Sequence, residues 1–347
     1  MRIKSKDIAK ALGISEATVS LALNDRKGVN PDTKRRIFEY IAETEGREEI
    51  KESENLGSVM MVNYIKNGNI MNRSRQDRKD NASDFNIDAT NLCRRKGYNF
   101  INRTYVEKSD DWDDFLKECR ENDVKGIYLM AAEMSPSDIY SFKKIGIPLV
   151  VGDNLLYDDG FNSFLIDNRE GIRKAVDYLV EMGHSYIVYL AENSDIFNFA
   201  ERRKAFVAEM ASKDCGDAKN RIRHLGSSID EIYHSMCDIL SSGLGRTTAF
   251  ILESSYVSLG VIKALLEYNV RIPQDISLLG FDAIAGDAIP ALELTLIKGT
   301  HTKRHLAGIS HLLSQLEYDD GEVLRVYYKT KLIEGNSVFN KKKFIYV

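Results

Sequence analysis

Asp7-Ile8-Ala9-Lys10-Ala11-Leu12-Gly13-Ile14-Ser15-Glu16-Ala17-Thr18-Val19-Ser20-Leu21-Ala22-Leu23-Asn24 is the stretch whose reading decides the fold. Ile8, Ala9 and Leu12 recur at helical spacing, Ser5 stands where an N-cap belongs, and Gly13 suits the left-handed residue that ends a helix. Ser15 then caps a second helix, with Ala17, Val19 and Leu23 as its apolar positions and a stop near Asn24-Asp25. A third helix starts at Asn30 with Pro31 at the first helical position, where a missing N–H costs nothing, and turns Ile37, Tyr40 and Ile41 to one face. Two short helices joined by a glycine turn and braced by a third form a helix-turn-helix. In that geometry the start of the second helix enters the DNA major groove while its neighbours hold phosphates. Ser15, Glu16 and Ala17 are then expected at base edges, with Thr18, Ser20, Asn24, Lys4, Lys6 and Arg26 at phosphate oxygens.

Charge supports that expectation. The 347-residue chain has 48 Lys and Arg against 52 Asp and Glu, a net of −4, so the molecule as a whole is no polyanion binder. Residues 1–36 hold nine basic side chains against Asp7, Glu16, Asp25 and Asp32, a basic module on an acidic body. Cys93, Cys119, Cys215 and Cys237 are scattered without metal or disulfide spacing, which fits reduced thiols. The charged, amphipathic amino terminus is unlike an export signal, and no window of about 18 apolar residues occurs. A cytoplasmic protein with no membrane partner is expected.

Asp7-Ile8-Ala9-(x)3-Gly13-Ile14-Ser15-(x)2-Thr18-Val19-Ser20-(x)3-Asn24, followed by Val29-Asn30-Pro31-Asp32-Thr33, resembles the head of the lactose/galactose-repressor (LacI/GalR) family. The resemblance implies a DNA-facing set of Lys4, Ser5, Lys6, Ser15, Glu16, Ala17, Thr18, Ser20, Leu21, Asn24, Arg26 and Val29. It also marks departures. Leu21 stands where the family usually has an arginine that reaches guanine, and Leu is expected to favour a thymine methyl or make no contact. The family's Pro-Asn segment and minor-groove hinge helix are replaced here by Glu45-Gly46-Arg47-Glu48-Glu49-Ile50-Lys51-Glu52-Ser53-Glu54. Residues 37–54 carry seven Glu against Arg47 and Lys51, and the negative potential of a narrow groove repels them.

From Leu56 onward short apolar runs alternate with amphipathic ones. Strands are expected at 58–62, 99–103, 126–130, 148–152, 185–190, 248–252 and 276–281, with helices at 83–96, 111–121, 169–182, 200–212, 229–240 and 256–268. Such alternation gives parallel sheets in doubly wound layers. The expected architecture is an all-α helix-turn-helix head (1–46), an acidic linker (47–57) and an α/β body (58–347). The body, a periplasmic-binding-protein-like pair of doubly wound subdomains, would carry effector binding and dimerisation. It resembles the same family at Val150-Val151-Gly152-Asp153-Asn154, Ile166-Asp167-Asn168-(x)2-Gly171, Glu201-Arg202-(x)3-Phe206 and Arg271-Ile272-Pro273-Gln274-Asp275-Ile276-Ser277-(x)2-Gly280-Phe281-Asp282.

That resemblance implies a small polar effector, commonly a sugar, gripped by Asp153, Arg202 and Asp282. Carboxylates accept paired hydroxyls and a guanidinium donates bidentately. Tyr64, Phe199 and Phe161 are of a type that stacks on a sugar face or packs in a core. The family's Asn-Asp pair falls here on Ser254-Ser255, preceded by Glu253, which joins the candidates. The usual aromatic start after the first strand is replaced by the polar stretch Asn63–Asn81.

His301 and His305, one turn apart, lack a third ligand and read as an exposed helix face rather than a metal site. Gly243-Leu244-Gly245 is too short for a dinucleotide loop. Nothing forms a catalytic constellation, and neither metal nor cofactor is implied. The expected protein is a non-enzymatic transcriptional regulator, by the family's habit a repressor, acting as a homodimer or tetramer on a pseudo-palindromic double-stranded DNA operator. A sugar-binding receptor, or an α/β enzyme acting on a sugar or nucleotide, are the alternatives.

Overall fold

The computed structural model describes residues 5–23, 29–30, 33–34, 36–37, 40, 55–66, 82–155, 160–213, 218–282, 284, 291–319 and 321–344. Contacts divide the chain after Leu56 into a small amino-terminal unit and a body.

The amino-terminal unit has helices α1 (Ser5–Leu12) and α2 (Glu16–Leu23). Its core is Ile8, Ala9, Val19, Ala22 and Ile37, with Leu12, Ile14, Val29 and Tyr40 packed against it. Gly13 sits at φ +65°, and Ile14 N donates back to Ala9 O at 3.0 Å, closing α1 in a Schellman-type turn. Ser15 caps α2 by accepting from Thr18 N at 3.1 Å. Two details differ from expectation. Ser5 is itself the first helical residue of α1 rather than its cap. The buried stripe of α2 runs through Val19 and Ala22, which leaves Ala17 exposed. Asn30 O accepts from Lys34 N at 2.9 Å, as at the start of a third helix. Pro31, Ile41 and linker residues 47–54 lie outside the described residues.

The body contains two six-stranded sheets. The first lobe is built on β1 (Ser58–Ile65), β2 (Asn99–Val106), β3 (Val124–Met130), β4 (Leu149–Gly152), β5 (Asn162–Ile166) and β11 (Arg325–Tyr328), in the order β11-β5-β4-β3-β1-β2. The second is built on β6 (Ile187–Glu192), β7 (Ile222–Gly226), β8 (Ala249–Leu252), β9 (Ser277–Phe281), β10 (Thr295–Lys298) and β12 (Lys331–Ile333), in the order β12-β10-β9-β8-β6-β7. Every pairing is parallel except β10 with β12. Parallel strands are covered on both faces. Accordingly Met60, Val62 and Tyr64 of β1 enter one cluster of the first lobe while Val59 and Met61 enter the other. The second lobe repeats this, with Tyr189 and Ala191 on one face of β6 and Val188 and Leu190 on the other. Each fully buried Leu, Ile or Phe in these layers contributes about 1.5–3 kcal/mol relative to exposure.

The chain crosses between the lobes three times. After β5 the helix Asn168–Glu181 packs on β10 and β12; after β10 the helix His301–Glu317 packs on β3, β4 and β5; and β11 leads to β12. The crossings are tied together: Asp167 N donates to Tyr328 O at 2.9 Å and Thr330 N to Glu170 Oε2 at 3.1 Å. Close approach of the His301–Glu317 helix to β3 requires glycine at position 308, since a Cβ there would run into the Tyr128 ring. All seven expected strands and all six expected helices have observed counterparts whose ends lie within three residues of those expected. Strands β5, β7, β10, β11 and β12 and the helix Pro136–Lys143 have no counterpart among the expected elements, and the helix His301–Glu317 is expected only at its start, where His301 and His305 lie.

Candidate functional site

On the head, α2 presents Glu16, Ala17 and Ser20 on its exposed side, with Thr18 and Leu21 half-buried. The Ser15 hydroxyl is engaged at the helix start, 2.8 Å from Thr18 Oγ1. Lys6 is exposed and Ser5 half-buried, whereas Val29 packs against the head core. Lys4, Asn24 and Arg26 lie outside the described residues. The surviving face is a short helix with small and polar side chains on an exposed stripe, the shape a major groove admits.

In the body, the chemistry gathers where the two lobes meet, beyond the carboxyl ends of the parallel strands, the usual ligand position in such sheets. Asp153 follows β4 and Asp282 follows β9. Both adopt φ +62°, and both donate their N–H to the neighbouring strand, Asp153 to Phe164 O at 3.2 Å and Asp282 to Ile297 O at 3.1 Å. Asp is among the few non-glycine residues that tolerate this left-handed region, at a cost of about 1–3 kcal/mol. The two lobes thus aim a strained aspartate at the same junction.

Asp153 is buried and pairs bidentately with Arg304, whose Nη2 lies 2.9 Å from Oδ2. Burial would raise its carboxyl, but the charge and hydrogen bonds of the Arg304 guanidinium hold it well below the ordinary aspartate range. Arg304 is wholly buried, and its Nη2 is 3.1 Å from His305 Nε2, an arrangement in which a neutral imidazole accepts. His305 Nδ1 in turn lies 2.9 Å from Tyr128 Oη. From the second lobe Asn198 Nδ2 donates to Asp153 Oδ1 at 3.1 Å, and its Oδ1 accepts from Asn168 Nδ2 at 2.7 Å. Arg202, buried, donates through Nε to Asn168 Oδ1 at 2.9 Å and through Nη1 to Glu253 O at 2.8 Å. Its guanidinium lies 4.3 Å from the Phe281 ring centroid and 5.6 Å from that of Phe199, with Nη2 3.9 Å from Asp282 Oδ2. Asp282 keeps a third of its side chain exposed and sits 3.3 Å from His301 Nε2. Burial raises its carboxyl, yet His301 and Arg202 bring it down to about 2. Phe197 N also donates to Ala132 O at 3.2 Å, a main-chain bond between the lobes.

Arg202, Asp282, Asp153 and Phe199 therefore converge. Two expected contacts do not. The Glu253 side chain is wholly buried and held bidentately by Arg203 at 2.7 Å, with Tyr189 Oη and Glu192 N also donating to it, so only its carbonyl faces the junction. Tyr64 has its ring face covered by Tyr105, stacked at 5.7 Å, and belongs to the aromatic core. His305 is buried, which corrects its reading as part of an exposed helix face; His301 is half-buried. Ser254 caps the helix Ser255–Glu267 by accepting from Val257 N at 3.2 Å. Sequence reasoning missed Arg304, Asn168 and Asn198. The available signal was Arg304 standing on the stripe of Gly308, Ile309, Leu312 and Leu313, the buried face of its own helix.

A basic-headed helix-turn-helix joined to a two-lobed α/β body with a polar junction defines a DNA-binding regulator with a ligand-binding core. Residues 5–45 match the family described as bacterial regulatory proteins, lacI family, and residues 176–338 match the periplasmic binding protein-like domain; together they span more than half of the chain. Similar curated proteins include the HTH-type transcriptional repressor PurR of Glaesserella parasuis serovar 5 (strain SH0165), 28% identical over 90% of this chain and 89% of that protein. The probable HTH-type transcriptional repressor ExuR of Bacillus subtilis (strain 168) is 24% identical over 96% and 97%. Among solved structures, a transcriptional regulator CelR–cellobiose complex superposes with TM-score 0.69 at 18% identity, covering 97% of this chain and all of that one. The lac repressor dimer bound to operator and the anti-inducer ONPF gives 0.64 at 17%, covering 98% and 100%. The chain thus carries the DNA-binding domain of the bacterial lacI regulators ahead of a periplasmic-binding-protein-like domain, and over most of its length it is similar to HTH-type transcriptional repressors.

Proposed function

We propose that this chain is an effector-gated repressor. In this reading residues 1–46 bind the operator, 47–57 form a charged spacer, and 58–347 bind the effector and dimerise. The observation that carries it is the chain of polar contacts running through Arg304, Asp153, Asn198, Asn168, Arg202 and Asp282 across the lobe junction. These groups hold the lobes together and are also the groups a polar ligand would engage. A ligand that binds one lobe arrangement better than the other shifts the population between them, and only that differential affinity can act on the heads. Each arginine at the junction already has a carboxylate opposite it, so a neutral polyhydroxylated ligand suits it better than an anion. Two fold neighbours carry cellobiose and ribose. Two heads on a homodimer would read two half-sites, because a single module buries too little surface for tight specific binding. The protein acts by binding, not turnover, in the cytoplasm.

A thermal-shift screen of sugars, sugar derivatives and nucleosides tests the effector, since ligand bound to the native state raises its apparent stability. The expected result is a stabilising neutral ligand whose effect is lost in Arg202→Ala while binding to a selected operator persists. A stabilising ligand whose effect is the same in Arg202→Ala would place the effector elsewhere.

A further inference from the structure

Away from the junction, at the opposite end of β6, the second lobe has a cavity of about 190 Å³. Tyr186, Arg221, Arg223, Leu244, Arg246 and Phe250 are among its lining residues. The Arg221 guanidinium lies 4.1 Å and that of Arg246 5.6 Å from the Tyr186 ring centroid, so both charges crowd against one ring. Arg223 stands beside Leu190 on the edge strand β7, two residues before the buried Leu225, where strand alternation calls for an apolar side chain.

Among the described residues, no carboxylate lies within ion-pair distance of Arg221, Arg223 or Arg246. The nearby helix Ile229–Ser242 ends at this cavity, and its last carbonyls would attract cations. The acceptors of Arg221 and Arg223 are instead Ser185 O at 3.2 Å, Asn220 O at 2.6 Å and Ile222 O at 3.4 Å. Capping that helix is therefore not what gathers the three arginines. The turn Gly243–Thr247 lines the same cavity, and among the described residues nothing accepts from the backbone N–H of Leu244, Gly245 or Arg246. Converging guanidinium groups repel one another until an anion neutralises them, and their planar forks match phosphate oxygens bidentately.

We propose that this cavity binds a small phosphorylated metabolite, its phosphoryl group held by the three arginines and its carbon body against Tyr186 and the apolar floor. The cavity is smaller than the usual range of about 300–1,000 Å³ for drug-sized ligands, which limits the occupant to a few carbons beyond the phosphate. It would be a second ligand site, separate from the junction and opposite to it in charge preference.

The test is calorimetric titration of the full chain with inorganic phosphate, glycerol 3-phosphate and glucose 6-phosphate, with glycerol and glucose as neutral counterparts. At least one phosphate ester should bind more tightly than both inorganic phosphate and its own neutral counterpart. Arg221→Gln combined with Arg246→Gln should weaken that binding by about tenfold or more, and Asp282→Asn at the junction should leave it unchanged. Arg246 is exposed and Arg221 half-buried, and an unchanged thermal midpoint verifies that the variant is folded. Absence of ester binding, equal binding by the arginine variant, or loss on Asp282→Asn instead would each overturn the proposal.

Discussion

Asp153 and Asp282 occupy equivalent places in the two lobes, each just past a strand at φ +62° and each facing an arginine. Because Asn also tolerates that backbone, Asp→Asn removes the charge without adding strain. Asp153→Asn leaves Arg304 buried and uncompensated, and urea unfolding should show a loss of about 3–5 kcal/mol. Combining it with Arg304→Met should recover most of that loss. At Asp282 the sign of the pH effect is fixed. Its folded value of about 2 lies below the unfolded one, so the carboxylate contributes stability above about pH 4 that disappears as pH falls through the folded value. Unfolding measured from pH 5 to 2 should lose less stability in Asp282→Asn than in the native chain. Asp153, Arg202 and Asp282 were legible in sequence because they sit in motifs at strand ends and at a helix start. Arg304 left only the signal of a charge on its helix's apolar stripe, and its role follows once Asp153 is placed opposite. Glu253 and Tyr64 show the converse: a carboxylate and an aromatic beside a cleft look like ligand groups in sequence, and the structure engages them with Arg203 and Tyr105.

At the scale of elements, Gly13 ends α1 with open space around its Cα, so its requirement is purely backbone. Gly13→Ala should destabilise the head by about 1 kcal/mol, read as weaker operator binding on warming with the body's melting unchanged. Gly308→Ala acts differently: its methyl meets Tyr128, and the overpacking should cost about 1–3 kcal/mol in the body. The strands anticipated from sequence are six of the eight interior ones, β1, β3, β4, β6, β8 and β9, together with the edge strand β2. Parallel strands covered on both sides read as continuous apolar runs. The edge strands β7 and β11 carry Arg223, His224 and Arg325 and lack that signature, while the edge strand β12 is only three residues long. The helix His301–Glu317 was legible only at its start and with the wrong face buried, because its buried stripe begins with Arg304 and His305 rather than with aliphatic residues.

For the whole molecule, the three crossings between lobes define where closure must be accommodated, and the Asn198–Asp153 bond and the Phe197–Ala132 main-chain bond are what opening would break. The two-lobed body was legible from alternating strands and helices together with the motif matches. The return of β11 and the His301–Glu317 helix to the first lobe was not, because crossings leave no periodic signal. The glutamate-rich linker predicts a DNA complex that relies on the heads alone, so operator bending in a gel-phasing assay should be small. The central claim is that α2 reads DNA. Its most direct test is the anisotropy of a duplex selected by the full chain from random sequence, titrated at fixed salt with the native chain and with Thr18→Ala plus Ser20→Ala. The native chain should bind sequence-specifically, and the variant about tenfold or more weakly. Failure to select any sequence, or unchanged affinity in the folded variant, would contradict it.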